Sequence, residues 1–67
     1  MKVIVKNINV EINELEIFLN SLQVVFYTNR DTHTLINVSE EKYQQIINKK
    51  NEFEAREQVI LVTRGGL

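Results

Sequence analysis

Lys2-Val3-Ile4-Val5-Lys6-Asn7-Ile8-Asn9-Val10-Glu11-Ile12 is the stretch on which the fold of this 67-residue chain turns. Residues 2–6 are β-branched at three of five positions and read as a strand. Residues 8–12 alternate apolar and polar with period two, which describes a half-buried strand with Ile8, Val10 and Ile12 inward. Two readings follow. A hairpin can turn at Lys6-Asn7, because Asn tolerates the left-handed conformation of a tight turn. Alternatively residues 2–12 form one strand, whose even face (Ile4, Lys6, Ile8, Val10, Ile12) carries a lysine inward. The buried lysine of the second reading favours the hairpin.

Downstream, Asn13 is a suitable N-cap, with Glu16 three residues on where a capping-box partner belongs. Glu14 and Glu16 complement the positive end of a helix dipole rather than forming a catalytic acid pair. Leu15, Phe18, Leu19 and Leu22 recur at i, i+3, i+4 and i+7, a single apolar stripe. A helix this short needs a sheet beneath that stripe. Residues 23–28 read as a strand, Asn29–Thr32 as a polar turn, and residues 34–38 as the next strand. His33 is the only histidine. It falls at the edge of the expected turn, where it is read as a solvated residue and not a metal ligand. Ser39 caps a second helix, with Glu40 and Glu41 in its first turn. Tyr43, Ile46, Ile47 and Phe53 can share one side, and Lys49-Lys50 lie towards its C-terminal end. The charged segment 51–58 ends that helix. Val59-Ile60-Leu61-Val62 is a wholly apolar run, suited to a strand buried on both faces.

The expectation is one α+β domain over residues 1–67. With the hairpin the order is β-β-α-β-β-α-β, a β-grasp. With one opening strand it is β-α-β-β-α-β, a ferredoxin-like split unit.

Composition narrows the chemistry. The chain has no Cys, so disulfides and thiolate chemistry are excluded. One His leaves a poor ligand set for zinc. Apolar content of 43% supports a small core and separates the chain from disordered sequences. No apolar run approaches the ~18–20 residues of a membrane span, and residues 1–10 lack the apolar core of a secretion signal. A cytoplasmic location is the expectation. Eight basic and nine acidic residues leave a net charge of −1, against the basic excess of a nucleic-acid binder. Phe26, Tyr27 and Tyr43 are the aromatics that could stack on bases. There is no phosphate loop, nucleophilic triad or metal motif.

Both glycines of the chain, Gly65 and Gly66, follow the last apolar run. At the average usage of about 7%, a chain of this length would scatter ~4–5 among its turns. Their placement suggests a flexible tail over residues 64–67, launched by the final strand.

The opening Met1–Asn7, the helical stripe Leu15–Leu22 and the ending Val59–Val62 into Gly65-Gly66 resemble the ubiquitin-like sulfur carriers. The similarity is to the small thiamine-biosynthesis, ThiS/MoaD-like family. The resemblance implies a β-grasp fold and no catalytic machinery. It also implies that the C-terminal glycine is adenylated and thiocarboxylated. Gly66 would then carry the thiocarboxylate, Gly65 would let the tail thread a partner's channel, and Arg64 would anchor it on an acidic residue there. The implied partners are an adenylating enzyme, which uses ATP, and a sulfur-accepting synthase, with no cofactor bound by the carrier itself. Three features depart from the family: Leu67 follows the second glycine, segment 40–56 is longer and more helical, and the opening hairpin lacks a glycine. The alternative is a small protein-interaction module or inhibitor, of the phage- or plasmid-borne kind, which binds through a sheet edge or helix face without chemistry of its own.

Overall fold

The computed structural model describes residues 1–65. Among these, the chain forms β1 (Lys2–Asn7), α1 (Ile12–Ser21), β2 (Val25–Asn29), β3 (Thr32–Ile36), α2 (Glu40–Ala55) and β4 (Ile60–Gly65). The α+β class expected from the sequence is therefore observed, in the β-α-β-β-α-β order. The strands form one antiparallel sheet in the order β2-β3-β1-β4. Strand β1 is central, and α1 carries the chain over β3 to the far edge. This is the split arrangement of ferredoxin-like domains.

The hairpin expected at Lys6-Asn7 does not form, and residues 8–12 are not a strand. The cause is the side chain of Asn7. Its Oδ1 accepts the Val10 N–H at 2.8 Å and its Nδ2 donates to the Val10 carbonyl at 2.9 Å. Both backbone groups of Val10 are thus satisfied locally, which offers the chain an alternative to a ladder. Asn9 continues the pattern by accepting the Val59 N–H at 2.6 Å and donating to the Glu57 carbonyl at 3.3 Å. Of the three residues expected to face inward, only Val10 does; Ile8 and Ile12 are exposed.

Helix α1 begins one residue before the expected cap. Glu11, not Asn13, is the N-cap, and its carboxylate accepts the Glu14 N–H at 3.0 Å. The apolar stripe lies where its spacing placed it: Leu15, Leu19 and Leu22 are buried and Phe18 packs against them. Ser39 caps α2 as expected, accepting the Lys42 N–H at 3.2 Å. That helix runs on through the charged segment to Ala55, because Phe53 is fully buried and Lys50 pairs with Glu54 one turn on.

The turn between β2 and β3 is shorter than expected. Arg30 adopts a left-handed φ of 59°, so Arg30-Asp31 alone reverses the chain and Asn29 pairs with Thr32. Strand β3 therefore starts two residues before the expected position, and His33 falls inside it. Val3, Val5, Leu35 and Ile60 from the sheet meet Leu15, Leu19, Ile46 and Phe53 from the helices in one core.

Candidate functional site: the open face of the sheet

Both helices lie on one side of the sheet. Alternation along the strands gives the other side away. Val3, Val5, His33, Leu35 and Ile60 are buried, and their cross-strand partners Phe26, Thr28 and Val62 share that covered face. The residues between them point the opposite way. They are Lys2, Ile4 and Lys6 on β1, Val25, Tyr27 and Asn29 on β2, Thr32, Thr34 and Ile36 on β3, and Leu61, Thr63 and Gly65 on β4. Register sets them in rows. Tyr27, Thr34, Ile4 and Thr63 cross the middle of the sheet, and Asn29, Thr32, Lys6 and Leu61 lie below them.

This open face mixes polar and apolar positions, and its most exposed apolar side chains stand on the two edge strands. Val25 is 70% exposed and Tyr27 60%, both on edge strand β2 with half-buried Ile36 and Ile4 alongside, while Leu61, 49% exposed, stands alone at the opposite corner on β4; a lone exposed apolar residue is ordinary, but neighbours on one surface form a patch. Its formal charges are Lys2 and Lys6, with no carboxylate among its side chains. The acidic residues lie elsewhere. Glu11, Glu14 and Glu16 are on or beside α1, Glu40, Glu41, Glu52, Glu54 and Glu57 are on or beside α2, where they outnumber Lys42, Lys49, Lys50 and Arg56, and Asp31 is in the β2–β3 turn beside Arg30. The net charge of −1 thus conceals a division into a basic sheet face and an acidic helical side. Linear charge counts could not reveal it; alternation along correctly placed strands could have.

The residues singled out at the C-terminal end do not form a free tail where the structure describes them. Arg64 and Gly65 belong to β4 and pair with Val3 and Lys2 of β1. Arg64 donates to Glu40 at 3.0 Å, and its guanidinium stands 4.9 Å from the centre of the Tyr43 ring. It is engaged within the chain, clamping β4 to the start of α2. Gly66 and Leu67, with the expected thiocarboxylate position, lie outside the described residues.

His33 is the largest departure from the sequence reading. It is not solvated but fully buried on the covered face. Its Nδ1 and Thr28 Oγ1 share a hydrogen bond of 2.9 Å, and Phe26 presents its ring nearly edge-on at 6.2 Å. Nε2 is buried without a partner among the described residues. Burial lowers the imidazole pKa, opposed in part by the negative charges of Glu16 and Asp31. A neutral, singly bonded imidazole in the core has the role of a packing residue.

Nothing resembling an enclosed active site accompanies these features. No pocket opens among the described residues. None of them cluster as three or more potential metal ligands. No helix among them is long and apolar enough to cross a membrane. Phe26, Tyr27 and Tyr43 do not form a stacking platform: Tyr27 is on the open face, Phe26 on the covered face, and Tyr43 on α2 beside Arg64. No family model matches the chain, and neither a curated protein nor a solved structure does so.

Proposed function

We propose that this protein is an interaction module without chemistry of its own, which docks a partner protein on the open face of its sheet. The partner's complementary surface is apolar where it meets β2 and acidic at the rim that meets the lysines of β1, such as an amphipathic helix flanked by Asp and Glu. One observation carries this reading: exposed Val25 and Tyr27, with Ile36 beside them, share a sheet face whose only charges among the described residues are two lysines. Burying such apolar area contributes roughly 25 cal/mol per Å². The lysines at β1 add discrimination, since opposite charges steer encounter and like charges reject wrong partners. A single-stranded nucleic acid fits less well, because it requires several stacking rings and this face offers Tyr27 alone.

The test uses a display library of helical peptides with apolar centres and either acidic or basic rims, read by amide chemical shifts of the labelled protein. Acidic-rimmed peptides are expected to shift Ile4, Lys6, Thr34 and Thr63 and to lose binding to Lys2→Glu/Lys6→Glu. Equal response to basic-rimmed peptides, or shifts confined to α1 and α2, would overturn the proposal.

The sulfur-carrier reading stands as a second proposal, supported by the Gly65-Gly66 sequence, the first glycine of which ends the last strand. In this conformation Gly65 is held in the β1–β4 ladder, so threading a partner's channel would require that pairing to open. Incubating protein trimmed at Gly66 with ATP and an adenylating enzyme from the same source tests it. A C-terminal adenylate seen by mass spectrometry would support it, and unreacted protein with every such enzyme would remove it.

A further inference from the structure

The two edges of the sheet differ. Strand β4 carries Arg64, tied to Glu40 and Tyr43, and closes on a glycine. Strand β2 is Val25-Phe26-Tyr27-Thr28-Asn29, with no charged residue, proline or glycine. Extended back to Val24, it reads Val-Val-Phe-Tyr-Thr before Asn29, five residues of high β-propensity without charge. Natural sheets blunt their edges with lysine, proline, bulges or a covering element, because an edge strand exposes unpaired backbone groups that template another strand. None of the residue-level devices is present in β2. Its left-handed residues, Gln23 and Arg30, lie outside the strand at either end, so the strand itself is regular.

We propose that β2 pairs antiparallel with β2 of a second copy of this chain, joining two four-stranded sheets into one continuous eight-stranded sheet. A two-fold axis through Tyr27 sets the register. Tyr27 then faces Tyr27, Phe26 faces Thr28, and Val25 faces Asn29 of the other copy. Beyond the strand, Arg30 meets Val24 and Asp31 meets Gln23. No charged residue is set opposite another, so self-pairing meets no like-charge repulsion, which is destabilising across a ladder. The other copy suits this edge because the strand offers a charged partner nothing to pair with. The two Tyr27 rings meet on the open face, so the apolar patches of both copies become continuous across the junction. A five-residue ladder buries much less than the roughly 800 Å² per partner of a standard stable interface. The association is therefore weak and concentration-dependent.

This inference is independent of the peptide-docking reading, and its test reads mass instead of binding. Sedimentation equilibrium of the full chain over a wide concentration range is expected to rise from 7.9 kDa towards twice that mass. In Val25→Lys/Asn29→Lys the two-fold register sets lysine against lysine at both ends, and the rise should be lost. In Val25→Lys/Asn29→Glu the same register sets lysine against glutamate, and the rise should return. Circular dichroism checks that both variants keep the native fold. Native protein that stays monomeric at every soluble concentration would overturn the proposal. So would two variants that associate alike, or a mass that climbs past the dimer.

Discussion

The two faces of the sheet are made from the same four strands, yet they are built to opposite rules. On the covered face every central position is apolar or, at His33, a neutral ring sealed from water. On the open face the central positions are Thr, Ile and Lys, and Val25, Tyr27 and Leu61 on the edge strands are exposed. Fold stability resides in the first surface, and the proposed recognition would fall to the second. The division can be broken by substitution, because the two faces should respond to similar losses of carbon with very different costs.

The largest effect is expected at Phe53, which is fully buried between α2 and the sheet. Phe53→Ala removes a buried ring and leaves a cavity, costing about 3–5 kcal/mol. A domain of this size has a total stability of the same order, so the variant should be largely unfolded at room temperature by circular dichroism. Leu61→Thr on the open face should shift the denaturation midpoint by about 1 kcal/mol or less. Comparable losses at the two sites would mean that the open face is packed against something in the isolated protein.

A second effect, of intermediate size, tests the one polar residue of the covered face. Burial holds the His33 pKa below the ordinary imidazole value of 6.5, against the opposing charges of Glu16 and Asp31. The unfolded chain therefore binds a proton more readily than the native one. The stabilisation from keeping His33 neutral is complete above the unfolded value and is lost as pH falls below about 6.5 towards the folded pKa. One proton limits the slope to about 1.4 kcal/mol per pH unit. Urea midpoints of native protein and His33→Leu, compared between pH 7 and pH 5, should diverge, with the native falling faster. Parallel curves would mean that the ring is protonated without leaving its site.

His33 also shows where a linear reading of this chain stops. Apolar patterning located both helices and the four strands of the described residues, since Leu15, Leu19, Ile46, Val3, Val5 and Leu35 all occupy the core. The run Val59–Val62, expected to be buried on both faces, instead feeds an edge strand with Leu61 49% exposed. Turns were harder. With two glycines in the whole chain, the left-handed positions are filled by Gln23, Arg30, Asn37 and Glu57, of which only Asn37 is a residue type that ordinarily marks such a site. The turn expected at Asn29–Thr32 is real but tighter than its residue types indicate, confined to Arg30-Asp31, and the two-residue difference at its far side moves His33 from solvent to core. The false second strand has a similar origin. Alternation at residues 8–12 is genuine, but the two hydrogen bonds of the Asn7 side chain to Val10 are tertiary detail that period two cannot anticipate. The open face was invisible for a further reason: all the charges of the chain sum to −1, and only register separates the two lysines of that face from the more numerous glutamates on the helical side.

The smallest effect is expected at Gly65, where the two readings of the C-terminal end meet. Gly65 lies on the open face opposite Lys2. A methyl group there would stand 3.1 Å from Lys2 Cγ and 3.2 Å from Cδ, closer than comfortable contact. The obstacle is an exposed, flexible side chain rather than backbone, so it can rotate away. A side chain in place of glycine also reduces the backbone entropy lost in forming the strand. The two terms oppose, and Gly65→Ala should change stability by no more than about 0.5 kcal/mol. A larger loss would show that Lys2 is locked over the sheet, which would place its charge at a defined point of the docking face. A neutral result gives a clean variant for the carrier reading, because a Cβ at Gly65 would then impede passage through an adenylating enzyme's channel without disturbing the fold.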